Sequence, residues 1–126
     1  MLKPLAVLQT VLIAHALAVF AQSVFAGEFL SGSDSPVRFH EWTGWAILAI
    51  CTLQVVIAAI LLRSGKTSLW LVLGSTLLLL AEGLQTGTGY GRFLNVHIPL
   101  GVIIFGAVTG QAIAVWRRLP SGGMAK

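Results

Sequence analysis

Apolar residues run along this chain in long blocks broken by short polar turns. Four blocks stand out: Leu5 to Ala26, Glu41 to Leu62, Ser68 to Leu84 and Phe93 to Trp116. A hydrocarbon core of about 30 Å takes about 20 apolar residues wound as a helix, so each block predicts a transmembrane helix. The stretches between them, GEFLSGSDSPVRF (27–39), RSGKT (63–67) and QTGTGYGR (85–92), carry the glycine, serine and proline of turns. Loops this short set neighbouring helices antiparallel. Lipid offers the backbone no partner but itself, which leaves helices as the default. The pattern predicts an all-α, integral-membrane, antiparallel four-helix bundle forming a single transmembrane domain over residues 1–126.

Composition excludes the alternatives. Hydrophobic residues make up 56% of the chain, charged residues 10%, and the mean hydropathy is +0.90. A soluble domain carries about 25% charge, so neither a soluble globular domain nor a disordered chain fits. The single cysteine, Cys51, rules out an intrachain disulfide. The net charge is +4, but the bases sit at the ends of the apolar blocks, which speaks for membrane topology and against nucleic acid as a partner. Lys3, Arg63, Lys66, Arg117, Arg118 and Lys126 fall on one side, Arg38 and Arg92 on the other. The positive-inside rule then predicts a multi-pass protein of the plasma membrane with both termini cytoplasmic. Lys3, the first apolar block and Val24-Phe25-Ala26 mimic a signal peptide, but the block exceeds the roughly 7–15 residues of an h-region and is read as a retained helix. Trp42, Trp45, Tyr90 and Phe93 on the outer side, with Trp70 and Trp116 on the inner, suit aromatic belts.

The second and fourth blocks share the pattern His-x3-Gly-x9-Gln: His40, Gly44 and Gln54 in one, His97, Gly101 and Gln111 in the other. The first and third share an outer glutamate, Glu28 and Glu82. The chain therefore reads as two helical hairpins repeated about an axis along the membrane normal, an arrangement that places sites at the repeat interface. The repeat sets His40 and His97 at one depth, near the outward ends of two helices that run the same way and lie diagonally across the bundle. Two imidazoles so placed can supply both axial ligands to a haem iron. Gly44 and Gly101, one turn on, leave room for a flat macrocycle to approach the backbone. The glutamines lie roughly 21 Å deeper along the same face.

The paired His-x3-Gly starts resemble one four-helix half of the haem A synthase family. That family has two such halves, each with a histidine pair at the outward starts of its second and fourth helices holding a b-type haem. The catalytic half has a glutamate three residues before its first histidine and an arginine directly after it. Here those positions hold Val37 and Glu41, so the resemblance is to the cofactor-holding half and does not extend to haem hydroxylation. It implies one haem b per chain, with His40 and His97 as metal ligands. The chain is also similar to small uncharacterised four-helix membrane proteins of actinobacteria.

Several residues admit two readings. Arg38 and Arg92 suit haem propionates or are plain interfacial charges. Glu82 could take a hydrogen bond from an axial histidine or meet Arg92, and Glu28 could do the same in the other repeat; otherwise each snorkels to the interface. His15, near the midplane, is either a neutral histidine bonded to a neighbouring helix through Gln54 or Gln111, or part of a quinone pocket. A zinc or copper site would need Glu41 and Glu82 beside the histidine pair. Gly106-x3-Gly110 is a close-packing motif, within the bundle or between copies in a homo-oligomer. With both axial positions filled, electron transfer is expected over oxygen activation, with quinol as a candidate donor. The competing readings are a haem-free accessory or assembly subunit of a membrane complex and a small transporter.

Overall fold

The structure is a computed structural model that describes residues 4–33 and 36–117. Lys3, Arg118 and Lys126, three of the six bases counted toward one side, lie outside the described residues. The chain forms four helices, α1 (Pro4–Leu30), α2 (Pro36–Arg63), α3 (Leu69–Tyr90) and α4 (Leu94–Trp116). All four are long and apolar enough to cross a membrane.

The helices pack as a ring: α1 on α2, α2 on α3, α3 on α4 and α4 on α1. The pairs α1/α3 and α2/α4 are therefore the diagonals. The outer surface is apolar, with Leu17, Phe20, Leu53, Ile60, Leu77 and Val102 exposed, while the fully buried side chains include His15, Gln54 and Ser75. A bundle greasy outside and polar at its centre is not built for water, and points to a multi-pass membrane protein.

Three of the helix ends differ from expectation, each at the end of the bundle where α1 and α3 finish and α2 and α4 begin. α1 runs on through Glu28, α2 starts earlier at Pro36, and α3 continues through most of the segment expected to be a turn. A proline is well suited to open a helix, since the first turn has no use for its missing N–H. In α3, Thr86 and Thr88 return their hydroxyls to the carbonyls of Glu82 and Gln85, so polar residues extend the helix instead of ending it. Three connections close in the same way. Ser33 N–H donates to Glu28 and Gly32 N–H to Phe29; Lys66 to Leu61 and Gly65 to Leu62; Phe93 to Thr88 and Arg92 to Gly89. These are Schellman-type closures that need a left-handed residue after the helix. Gly32 and Gly65 supply it without strain, but in the third connection Arg92 takes the position at φ 56°, a conformation that costs a non-glycine residue about 1 kcal/mol or more.

The buried positions of the two halves correspond. In α2 and α4 they are Ile47 with Ile104, Cys51 with Val108 and Ala58 with Val115; in α1 and α3 they are Leu8 with Leu71, Leu12 with Ser75, His15 with Leu78 and Val19 with Glu82. The apolar part of this core forms two clusters. One joins Leu8, Leu12, Ala58, Leu61, Leu71 and Val115; the other joins Val19, Ile47, Cys51, Leu78, Ile104 and Val108.

Candidate functional site

Near the end of the bundle where α1 and α3 finish and α2 and α4 begin, His40 of α2 and His97 of α4 meet across the diagonal. Their ring centroids are 6.0 Å apart and the ring planes cross at 62°. Each ring is anchored by one nitrogen to a backbone carbonyl of the preceding helix: His40 Nδ1 lies 3.3 Å from Gln22 O, and His97 Nδ1 lies 2.8 Å from Gln85 O. A carbonyl can only accept, so Nδ1 carries the hydrogen in both rings. Nε2 is left as the lone-pair nitrogen, the tautomer a metal-ligating histidine needs. Thr88 Oγ1 also comes within 3.5 Å of His97 Nδ1.

Both rings line a cavity of about 480 Å³. Its walls are largely apolar, with Val19, Ile47, Leu94 and Ile104 among them, and Gln22, Gln85 and Glu82 bring polar groups to it. A mostly apolar hollow of this size with a few convergent polar groups is the usual form of a cofactor or small-molecule site.

The expected residues divide as follows. Gly44 and Gly101 line the cavity, and the space beside each is taken by a glutamine. A Cβ at Gly44 would stand 3.1 Å from Gln22 Nε2, and one at Gly101 would stand 2.9 Å from Gln85 Nε2. Each glycine leaves room for the side chain of the glutamine whose carbonyl holds the histidine of the same helix. Arg92 lines the cavity and Arg38 is not among its lining residues; both are exposed. Among the described residues Glu82 is bonded to neither His40 nor His97 nor Arg92. Its Oε1 lies 2.6 Å from His15 Nε2, although the residue also lines the cavity. Glu28 is exposed.

Gln22, Gln85 and Gly89 were not singled out in the sequence. Gln22 and Gln85 are the true partners between α1 and α3, each offering its carbonyl to the histidine of the next helix. Gly89 lies against the imidazole: a Cβ there would be 2.9 Å from His97 Cε1. The glycines of 87–91, read as turn residues, therefore include one against which the His97 ring packs. At the rim, Tyr90 donates to Glu41 Oε1 and receives a 3.3 Å bond from Trp45 Nε1, tying α3 to α2.

Below the cavity lies a second polar layer. Gln54 Nε2 donates to Ser75 Oγ at 2.8 Å and to Gln111 Oε1 at 3.0 Å. Gln54 Oε1 then accepts from His15 Nδ1 at 2.8 Å. With Nδ1 as donor, one proton lies between His15 Nε2 and Glu82 Oε1, and the pair as a whole is neutral whichever atom holds it. Glu82 Oε2 is buried without a hydrogen-bond partner. Cys51 Sγ donates a long 3.7 Å bond to Ser75 O.

No family model, curated protein or solved structure matches this chain.

Proposed function

We propose that the protein is a membrane b-type cytochrome that holds one haem between His40 and His97 near its outward face and carries electrons. The observation that bears most of this reading is the separation of the two rings. A metal ion shared by two imidazoles, each bound at about 2 Å, sets ring centres about 6 Å apart once the nitrogen-to-centre distance is added. The centroids stand at 6.0 Å. Among the described residues neither Nε2 atom has a hydrogen-bond partner, while both Nδ1 atoms are committed, and the rings open on a cavity with largely apolar walls.

On this reading the bundle is antiparallel and spans the plasma membrane with both termini cytoplasmic, and its two hairpins repeat about the membrane normal. Bound haem would supply one-electron chemistry. The chain's part would be to hold the haem through His40 and His97, with Gln22 and Gln85 orienting the two rings, which would leave the group to electron transfer rather than oxygen activation. Arg92, at the cavity, is placed to meet a propionate; Arg38 has less claim to that role. A quinol donor remains part of the proposal; of the contacts expected for it, His15, Gln54 and Gln111, the first two are fully buried and Gln111 lines a second hollow.

A second reading, a small transporter, has one observation in its favour. Glu82 lines the outer cavity and Gln111 lines a second hollow near Lys66 and Trp70, and the bonded residues His15, Gln54 and Ser75 join them.

The test is the spectrum of the detergent-purified chain after haem reconstitution. The cytochrome reading expects a low-spin Soret band with one haem per chain, lost in His97→Ala and in His40→Ala. Haem-free protein, or a band unchanged in both variants, ends it. Proton flux in liposomes that disappears in His15→Leu would favour the transporter.

A further inference from the structure

The two halves of the core are alike where they need only pack, and part company in a pattern. His15, Cys51 and Glu82 correspond to Leu78, Val108 and Val19 of the opposite half. All three counterparts are buried in one apolar cluster. The bundle can therefore fill this kind of volume with leucine and valine. On one side only, it places an imidazole, a thiol and a carboxyl instead, with one potential ligand atom from each within 4.8 Å of the others. His15 is 0% exposed, Cys51 0% and Glu82 3%. Polar and ionisable groups at such depth are costly and seldom kept without use.

Hydrogen bonding alone does not account for the cluster. The His15–Glu82 bond uses one carboxyl oxygen and leaves Oε2, buried beside the cavity, with no partner. The thiol makes a long 3.7 Å contact to Ser75 O and lies beside the Glu82 carboxyl. Meanwhile His15 is held as a ligating histidine would be: Nδ1 is fixed by Gln54, which is itself fixed by Ser75 and Gln111. A hydrogen bond of this kind on the far ring nitrogen sets the tautomer and aims Nε2 at a metal.

We propose that His15, Cys51 and Glu82 form a binding site, separate from the histidine pair, for one divalent ion of the zinc class. Nitrogen, thiolate and carboxylate are the donors such an ion prefers. The charges also balance. The ion brings two positive charges; the thiol proton and the proton shared by His15 and Glu82 leave; a thiolate, a carboxylate and a neutral imidazole remain around it. The occupied site is neutral, as the site was before, which is what a low-dielectric interior requires. Ligands of a tetrahedral ion with bonds of about 2.0–2.3 Å stand about 3.5 Å apart. Binding thus opens the His15–Glu82 hydrogen bond and draws the thiol in by about 1 Å. Glu82 lines the outer cavity as well, so an ion has a way in from that side.

Cobalt substitution tests this directly, because the chain has a single cysteine and a thiolate-to-cobalt charge-transfer band can arise from Cys51 alone. Full-length protein in detergent, titrated with Co²⁺, should develop that band at one ion per chain, and Zn²⁺ should bleach it. Cys51→Val, which installs the residue of the opposite half and keeps the core apolar, should abolish the band with the helical circular dichroism unchanged. Glu82→Gln should weaken Co²⁺ binding at least tenfold. The double variant His40→Ala/His97→Ala should keep the band, so this site and the haem reading stand or fall separately. Wild-type protein with no such band at millimolar Co²⁺, a band that survives Cys51→Val, or a band lost with His40 and His97 would each overturn the proposal.

Discussion

The outer and middle layers of this bundle are built from the same repeat and treat it in opposite ways. At the outer layer the halves agree: histidine answers histidine, glycine answers glycine, and each ring rests on the carbonyl of a glutamine in the preceding helix. In the middle they disagree: His15 faces Glu82, whose counterpart is Val19, and Ser75 stands where the other half has Leu12. Symmetry suits a site in which two equal ligands hold one object between them. Asymmetry suits a site whose ligands differ in kind. The contrast separates residues kept for a shared geometry from residues kept for particular chemistry.

The largest effect should come from breaking the asymmetric layer on one side only. His15→Leu restores the residue of the opposite half but leaves Glu82 and Gln54 Oε1 without their partner in the bundle centre. An unsatisfied buried polar group costs about 1–3 kcal/mol, so with two of them the variant should lose about 3 kcal/mol, read by unfolding in mixed detergent. Adding Glu82→Val should return part of that loss, giving a coupling energy of about 1–3 kcal/mol in the double-mutant cycle. Additive losses would mean that the pair does not act as a unit.

The next effect is in the outer layer and tests how equal its halves are. Gly89 and Ala26 both line the cavity, yet His97 packs directly on Gly89, where a Cβ would meet Cε1 at 2.9 Å and Nδ1 at 3.2 Å. The imidazole is tethered to Gln85 O and cannot simply swing away. Gly89→Ala should therefore displace the ring, at a cost of about 1–2 kcal/mol, and, if the proposed haem is held there, weaken its retention roughly tenfold at about 1.4 kcal/mol per decade. Gly101→Ala should be milder, since its 2.9 Å neighbour is the far end of the Gln85 side chain. Equal effects at the two glycines would show that the ring is not seated by α3.

These two layers were unequally legible in the sequence. The four helices follow from block length and hydropathy, and so does the existence of the pairing between His40 and His97, because a repeated spacing on two helices of one direction fixes common depth and face. Polar residues read as breaks place the helix ends short, whereas Thr86 and Thr88 satisfy themselves within α3. The match of α1 to α3 was sought in Glu28 and Glu82, but the structure aligns Gln22 with Gln85. Glutamate was the louder signal, and a backbone carbonyl leaves no mark on residue type. The link from His15 to Gln54 was among the alternatives considered. Its other link, to Glu82, depends on how far α3 is rotated, which an almost wholly apolar helix does not reveal.

The smallest effect concerns the outside of α4. A Cβ added at Gly106 or at Gly110 meets nothing within 4 Å, and both residues are exposed, so this pair does no packing inside the bundle. Within one copy of the chain, Gly106→Ala should then gain the ordinary helix preference of alanine over glycine, about 0.5–1 kcal/mol. The sign changes if another copy sits on this face. Glycines that let two helices approach closely are intolerant of added bulk, and the same substitution, or Gly110→Leu, would lower the dimer fraction seen by crosslinking in lipid. Neither variant should alter the His40–His97 site or the His15 cluster, since a change confined to the lipid face reaches neither layer. A Soret band or a cobalt band that moved with Gly106 would mean that the layers are coupled through α4, and that the outer and middle sites are not independent.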